Sequence, residues 1–485
     1  MNRYETLAGD IEAAIRGGVL RPGDRLPSVR QASRTRHLSA STVFQAYYRL
    51  ESRGLVQARE RSGYFVVGAA EVLPQPAQPS QPEGEPCQVD VSESVFEVLD
   101  AAARMQAVPF GSPFPDPRLF PLGQLGRAMA ASVRGLTPQS VQDEFSPGKE
   151  VLRRHIAQRY LGAGLQVHHD EIVITNGALE ALNLCLACVA RPGDTVLVES
   201  PAFYGALQAL ERLGMRAVEV ATHPVTGLDL DHLEQALRRH SPRACWLMPT
   251  FHNPLGATMP DDAKRELVEL LARREVPLIE DDVYGELHFG PARVRPAKAW
   301  DRHGLVLHCS SFSKCLSPGF RIGWAAPGRF VREAVRMKLS TTLMASMPAQ
   351  LGLAQYLESG SFDRHLRKLR RGLARRQLEL GQAICRHFPE GTTATQPAGG
   401  YFTWVQMPPA VDVLRLQRRA EADGICIAPG PIFFGLARLP QLPAAERFLR
   451  ADGADGAGGG ATGRPGRRAA GGWRRHRRLT RRPRC

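Results

Sequence analysis

The chain has 485 residues, 43% hydrophobic and 23% charged, which allows roughly three domains of about 150 residues each and excludes disorder over the whole length. No run of about 18 apolar residues is present to span a bilayer, and the opening stretch MNRYETLAGDIEAAIR lacks the apolar core of a secretion signal, so a cytoplasmic protein with no membrane partner is expected. Nine cysteines at no metal-like spacing argue against a disulfide framework or a metal site, and the one CxxC, Cys185/Cys188, falls in a helical stretch where burial is the simpler reading; the net charge of +15 raises a nucleic-acid partner.

Residues 1–68 alternate helical segments with short polar breaks. A helix over Ser28–Arg34 is followed by a short break and a second helix from near Ser39, which is helix-turn-helix spacing. Ser39 or Ser41 can cap the second helix, whose first residues, Ser41 and Thr42, then reach phosphates or bases in the major groove. Val43, Ala46, Tyr47 and Leu50 form its buried stripe, and a strand pair over Gln57–Val67, with Gly63 at the tip, supplies a wing. Arg30, Arg34, Arg49, Arg59 and Arg61 suit phosphate contacts, although any one of them alone reads equally well as a solvated cation. The segments Leu26–Arg30, Ser39–Val43 and Leu50–Leu55 resemble the winged-helix DNA-binding domain of the GntR family. That resemblance implies double-stranded operator DNA as partner. Ala40 and Phe44 stand where some family members carry Arg, so base reading rests on fewer side chains.

The stretch Pro74–Pro86, within a linker placed at 69–90, is rich in Pro, Gln and Glu and is expected to be extended and semi-rigid rather than part of a core. From 91 to 435, helical patterns alternate with β-rich runs at Glu171–Thr175, Thr195–Glu199, Ala244–Pro249, Pro277–Glu280 and Gly304–Cys309, which predicts an α/β domain with a mostly parallel sheet. Its chemistry gathers in four motifs. ITNGALEAL passes from strand to helix at Asn176–Gly177 and frees the amides of Gly177, Ala178 and Leu179 for an anion. TFHNPLG presents Asn253 at a strand end, and IEDDVYGEL presents Asp281, whose carboxylate can keep a pyridine nitrogen protonated, with Tyr284 three residues on. HCSSFSKCLSPGFRIGW carries Lys314, a candidate Schiff-base amine, with Ser311, Ser313 and Arg321 close by to suit a phosphate. Singly, each also reads as a cap, a turn or a solvated cation; together, strand-end residues of one parallel sheet converge on one crevice.

In this order the motifs resemble the fold-type I, aspartate-aminotransferase-like proteins that use pyridoxal 5'-phosphate, over about Val91–Phe434. The resemblance implies that Lys314 carries the cofactor, Asp281 faces its ring nitrogen, and Asn253 and Tyr284 face its ring oxygen. It likewise implies that Gly177, Ala178, Leu179, Ser311 and Arg321 hold its phosphate, with Ser313 adjacent, and that Phe203 of SPAFYG stacks on the ring, where Tyr is frequent. The fold expected is a winged helix followed by a fold-type I domain with a smaller C-terminal subdomain. This layout resembles the MocR subgroup of GntR regulators, implying a head-to-tail homodimer that senses an amino acid, an amine or pyridoxal phosphate. Two functions stay open: a transcriptional regulator, favoured by the winged helix and linker, and an aminotransferase with an accessory winged helix, Lys314 serving as proton shuttle.

Beyond the turn Pro429–Phe433 the composition shifts to Gly, Ala, Arg and Pro, and from Asp452 to Cys485 ten Arg against two Asp contribute +8 of the +15. Family members continue there to an Arg that clamps a substrate carboxylate. Back-translating Phe434–Asp452 with GC-rich codons and reading one base later restores a family-like sequence, so 436–485 reads as a frameshifted tail in which the clamp and the last elements of the small domain are lost, a substitution by Arg438 being the less favoured reading. A basic arm for nonspecific DNA binding is the rival reading, and a product without function is the third.

Overall fold

The computed structural model describes residues 3–21, 23–52, 55–59, 62–66, 74, 77–104, 108–112, 115–138 and 147–435. The readings placed on Arg61, Arg438, the side chain of Arg59 and the tail 436–485 lie outside the described residues.

At the N-terminus three helices, Arg3–Arg16, Val29–Arg36 and Ala40–Ser52, precede an antiparallel pair, Val56–Arg59 with Gly63–Val66. Ser28 accepts the Gln31 amide at 3.2 Å and starts the second helix; Ser39, rather than Ser41, accepts the Thr42 amide at 3.1 Å and starts the third. His37 ends the second helix in the left-handed conformation, φ 53°. Val43, Ala46, Tyr47 and Leu50 are all buried, packed with Leu7, Ile11, Leu26 and Val66 into one small core. The Tyr47 hydroxyl donates to the Pro27 carbonyl at 2.8 Å, so the one polar atom in that stripe is satisfied.

A nine-stranded sheet forms the centre of the larger domain. Across it the order is Cys87–Gln88, Arg216–His223, Thr195–Ser200, Ala244–Leu247, Leu278–Asp281, Val306–Ser311, Gly323–Ala326 and Val173–Thr175, with Gly227–Leu228 paired off the path to Arg216–His223. Val173–Thr175 and the five strands from Arg216–His223 to Val306–Ser311 run the same way, while Gly323–Ala326 runs against both its neighbours. Burial on both faces explains the near-continuous apolar runs: every residue of Val173–Thr175, Ala244–Leu247, Leu278–Asp281 and Val306–Ser311 is buried. Helices Ala178–Val189 and Tyr204–Arg212 cover one face, and Leu230–His240 with Asp261–Arg273 the other. Cys185 packs there as a buried thiol 3.5 Å from Cys309, and Cys188 is half-buried. A smaller C-terminal part holds the 27-residue helix Ser361–His387, the helix Val413–Ala422 and two short pairs, Thr393–Ala394 with Val405–Gln406 and Ile425–Cys426 with Val108–Pro109.

The Pro-rich stretch departs from expectation. It is extended, with no helix or strand over residues 77–86, yet it is packed onto the large domain. Pro74 and Ala77 are buried, Ser80 exchanges bonds with Thr222 (Oγ accepting its amide at 2.9 Å), and the Gly84 carbonyl lies 2.9 Å from His240 Nε2. The Gln396 side chain donates to the Pro74 carbonyl at 3.1 Å. A composition poor in apolar residues conceals this because the anchoring runs through backbone groups.

Candidate cofactor crevice and DNA-contact face

The register of three strands assembles the crevice. Ser311 stands opposite Gly323, and Gly323 opposite Thr175, so the loops after Ser311 and Thr175 meet across Gly323. A Cβ on Gly323 would come within 2.5 Å of the Gly177 carbonyl carbon, which leaves Gly as the residue that fits there. Gly177 has φ 91° and starts the helix Ala178–Val189 without a side-chain cap, leaving the first amides unpaired. The Arg321 guanidinium lies over Gly177, its Nη2 donating to the Asn176 carbonyl at 3.0 Å, so the positive helix terminus and a cation share one point. Ser311 and Ser313 are buried beside it, with the Ser313 amide donating to Ser311 Oγ at 3.4 Å. The Leu179 side chain is exposed.

Asp281 ends the strand Leu278–Asp281 and is 1% exposed, and its Oδ1 has no hydrogen-bond partner. Burial pushes its carboxyl up to about 7, against the pull of the Val283 amide and of Lys314. Burial likewise brings the Lys314 amine down to about 8; Asp281 opposes that fall and Arg321 adds to it. Asn253, after the strand Ala244–Leu247, is buried with Oδ1 unpartnered, and Ser313 Oγ is unpartnered too. Three buried polar atoms at one set of strand ends are costly unless a ligand meets them. Tyr284 is buried, and a side-chain hydrogen bond joins it to Tyr401, whose ring meets it edge-on at 5.4 Å. Phe203 is half-buried at the start of the helix Tyr204–Arg212, its ring against Gly205, where a Cβ would stand 2.6 Å away.

Several residues here had no signal in the sequence. Glu199 is buried, accepts the Met248 amide at 2.8 Å and lies 3.3 Å from His252 Nε2, behind Asn253. Asp282 meets His308 at 3.1 Å and Arg293 at 3.1 Å, while His308 reaches Tyr160, which accepts from Trp324 at 2.9 Å. Next to it, Glu286 binds Arg159, Arg293 and Arg370.

On the winged helix, Arg30 and Arg34 are exposed, and Ser39 Oγ lies 2.8 Å from Ser41 Oγ and 2.7 Å from Thr42 Oγ1 at the helix start. Gly63, φ 100°, begins the second wing strand against the Arg25 guanidinium. Arg49 pairs at 2.8 Å with Glu5 of the first helix, the two side chains staying 37% and 30% exposed.

The chain matches two families: "Bacterial regulatory proteins, gntR family" over residues 3–66, and "Aminotransferase class I and II" over residues 141–434. It is 48% identical to the Escherichia coli (strain K12) protein named "Uncharacterized HTH-type transcriptional regulator YdcR", covering 89% of this chain and 92% of that one. It is 36% identical to YjiR of the same strain, another "HTH-type transcriptional regulator", over 89% of this chain and 92% of the relative. Among solved structures it is similar to LysN, the alpha-aminoadipate aminotransferase of Thermus thermophilus complexed with N-(5'-phosphopyridoxyl)-L-leucine, at 31% identity and TM-score 0.64, covering 72% of this chain and 87% of LysN. With a winged helix at one end, a fold-type I sheet at the other and relatives of the same two-part layout, the chain belongs to the gntR family of bacterial regulatory proteins, in the MocR subgroup that joins this domain to an aminotransferase class I and II domain.

Proposed function

We propose that the chain is a DNA-binding transcriptional regulator in which residues 1–68 bind operator DNA and residues 91–435 hold pyridoxal 5'-phosphate and respond to an amino acid, an amine or the cofactor itself. The observation that carries the cofactor reading is the buried Asp281 Oδ1, unpartnered at the strand end and electrostatically coupled to Lys314. The residues present fit this group. When bound, it supplies a carbonyl carbon for amines and an electron-poor ring that takes up negative charge. Lys314, with its amine brought down to about 8, keeps a minor but appreciable fraction neutral and nucleophilic near physiological pH and can carry a proton. Asp281 would stabilise a protonated ring nitrogen, Asn253 and Tyr284 would orient the ring oxygen, and Phe203 would stack on the ring. The amides of Gly177, Ala178 and Leu179, with Ser311, Ser313 and Arg321, would hold the phosphate.

For DNA, we assign contacts to Arg30, Arg34, Ser39, Ser41, Thr42, Arg49, Arg59 and Gly63. A homodimer is part of the same reading: Phe96, Phe110 and Leu122 are large apolar side chains more than half exposed, the kind of surface a second copy covers. The test is the visible spectrum of the chain with pyridoxal phosphate before and after borohydride, beside a band-shift assay on DNA upstream of its own gene. A yellow, reducible band lost in Lys314→Ala, together with a band shift, is expected. No band, or a band retained in Lys314→Ala, overturns the cofactor assignment. Turnover of an amino acid and a keto acid at about 1 per second or faster without any operator overturns the regulatory one.

A further inference from the structure

The helix Ser361–His387 carries Arg364, Arg367, Lys368 and Arg371 at i, i+3, i+4 and i+7, one face of the helix, and all four are exposed. Among the described residues none of the four has a carboxylate partner, whereas Arg375 pairs with Glu379 at 2.7 Å and Arg376 lies 3.7 Å from Asp116. Four like charges at neighbouring positions repel one another in the isolated protein, and nothing in the packing requires them. Their position gives them a use. This helix contacts the helix Ala40–Ser52 of the winged domain, and the Tyr48 hydroxyl donates to the Phe289 carbonyl at 3.4 Å. Tyr48 lies on the same face as Ser41 and Gln45, at i, i+4 and i+7, so the DNA-facing stripe of the third helix runs toward the basic helix. Arg371 is close enough to act electrostatically on Tyr48 and on Tyr64 of the wing.

We propose that Arg364, Arg367, Lys368 and Arg371 form a second DNA surface on the aminotransferase-like domain, binding backbone phosphates of the duplex that flanks the segment held by the winged helix. The inference rests on the regulatory reading above and adds a partner surface to a domain otherwise assigned to a small molecule. Such contacts give affinity and salt dependence but no sequence information.

The test uses the full 485-residue chain with mixed-sequence duplexes of about 40 and about 14 base pairs, the shorter covering little beyond one winged-helix site. Two variants are compared with the unmodified chain: Arg364→Ala/Arg367→Ala/Lys368→Ala/Arg371→Ala, and Arg364→Lys/Arg367→Lys/Arg371→Lys. All positions are exposed and Ala is the best helix former, so the fold is retained. The Arg-rich segment after 436 is present throughout and cancels. On the long duplex the alanine variant should lower the slope of log affinity against log salt by up to about 3.6, at ~0.9 for each of the four phosphates. The lysine variant should keep the slope, and the short duplex should show no difference. An unchanged slope on the long duplex, with Arg30→Ala still weakening binding, overturns this surface and leaves the regulatory reading standing. An equal fall on both lengths overturns the flanking placement. Failure of the unmodified chain to bind either duplex overturns both.

Discussion

Replacing Glu286 by Gln should destabilise the aminotransferase-like domain by about 3 kcal/mol at neutral pH. The carboxylate is 13% exposed and sits among three guanidinium groups: Arg159 at 2.8 Å, Arg370 at 3.1 Å and Arg293 at 3.2 Å. Burial alone would raise its pKa, but Arg293 and Arg159 outweigh burial and hold the carboxyl down to about 2 from 4.5. Arg293 and Arg159 contribute more to this than Arg370 does. At 1.36 kcal/mol per pH unit that depression corresponds to about 3 kcal/mol, within the range for breaking a buried ion pair. Because the folded-state value is depressed, the contribution is full above pH 4.5 and is lost as pH falls from there toward 2. The gap between wild type and Glu286→Gln should therefore narrow to roughly 1.5 kcal/mol at about pH 3. Urea unfolding followed by tryptophan fluorescence, at several pH values, measures it. A variant within about 0.5 kcal/mol of wild type at neutral pH, roughly the usual spread for neutral surface changes, or a gap that stays constant on acidification, would refute the reasoning.

Other predictions follow from single contacts. Gly177→Ala forces a side chain into φ 91° and against the Arg321 guanidinium, and should weaken pyridoxal phosphate binding at least about tenfold in an absorbance titration. Covalent uptake of the cofactor by Lys314 should speed up with rising pH and reach half its plateau near pH 8, where the amine loses its proton; a midpoint near 10.5 would show a solvated lysine. Tyr401→Phe removes the partner of the buried Tyr284 hydroxyl and should cost about 1–3 kcal/mol in thermal unfolding. Ser39→Ala deletes the cap of the third helix; it should cost about 1 kcal/mol and lower DNA affinity, and unchanged affinity would remove Ser39 from the interface.

The strands and the crevice were legible for one shared reason. A parallel strand buried on both faces is a short apolar run, and its chemistry is placed where the run stops, as at Asp281 and Ser311. Glu199, His252 and Tyr401 escaped because each is a single polar residue whose partner is distant in sequence, so no spacing announces it. The same holds for the chain from Arg293 through Asp282 and His308 to Tyr160, four segments joined only by folding. The pairing of Arg49 with Glu5 is hidden from the sequence in the same way, since the two residues stand on different helices. The Pro-rich stretch is extended, as its composition implies, but its packing is hidden because composition reports side-chain hydrophobicity, whereas this segment is held largely by its carbonyls and amides.

That anchoring also shortens the tether of the winged helix. If the chain were free from Val66 to Pro86, its twenty residues would reach about 70 Å when fully extended. With the Pro74 carbonyl held by Gln396, only seven residues separate the last wing strand from a fixed point, eight Cα–Cα steps with a reach of at most about 29 Å. A tether that short keeps the local concentration of the winged helix about its own sensor domain high and confines where it can search. In the homodimer proposed above, the distance between the two Pro74 anchors would set the spacing of operator half-sites, and a ligand that moved one anchor relative to the other would change which spacing is read.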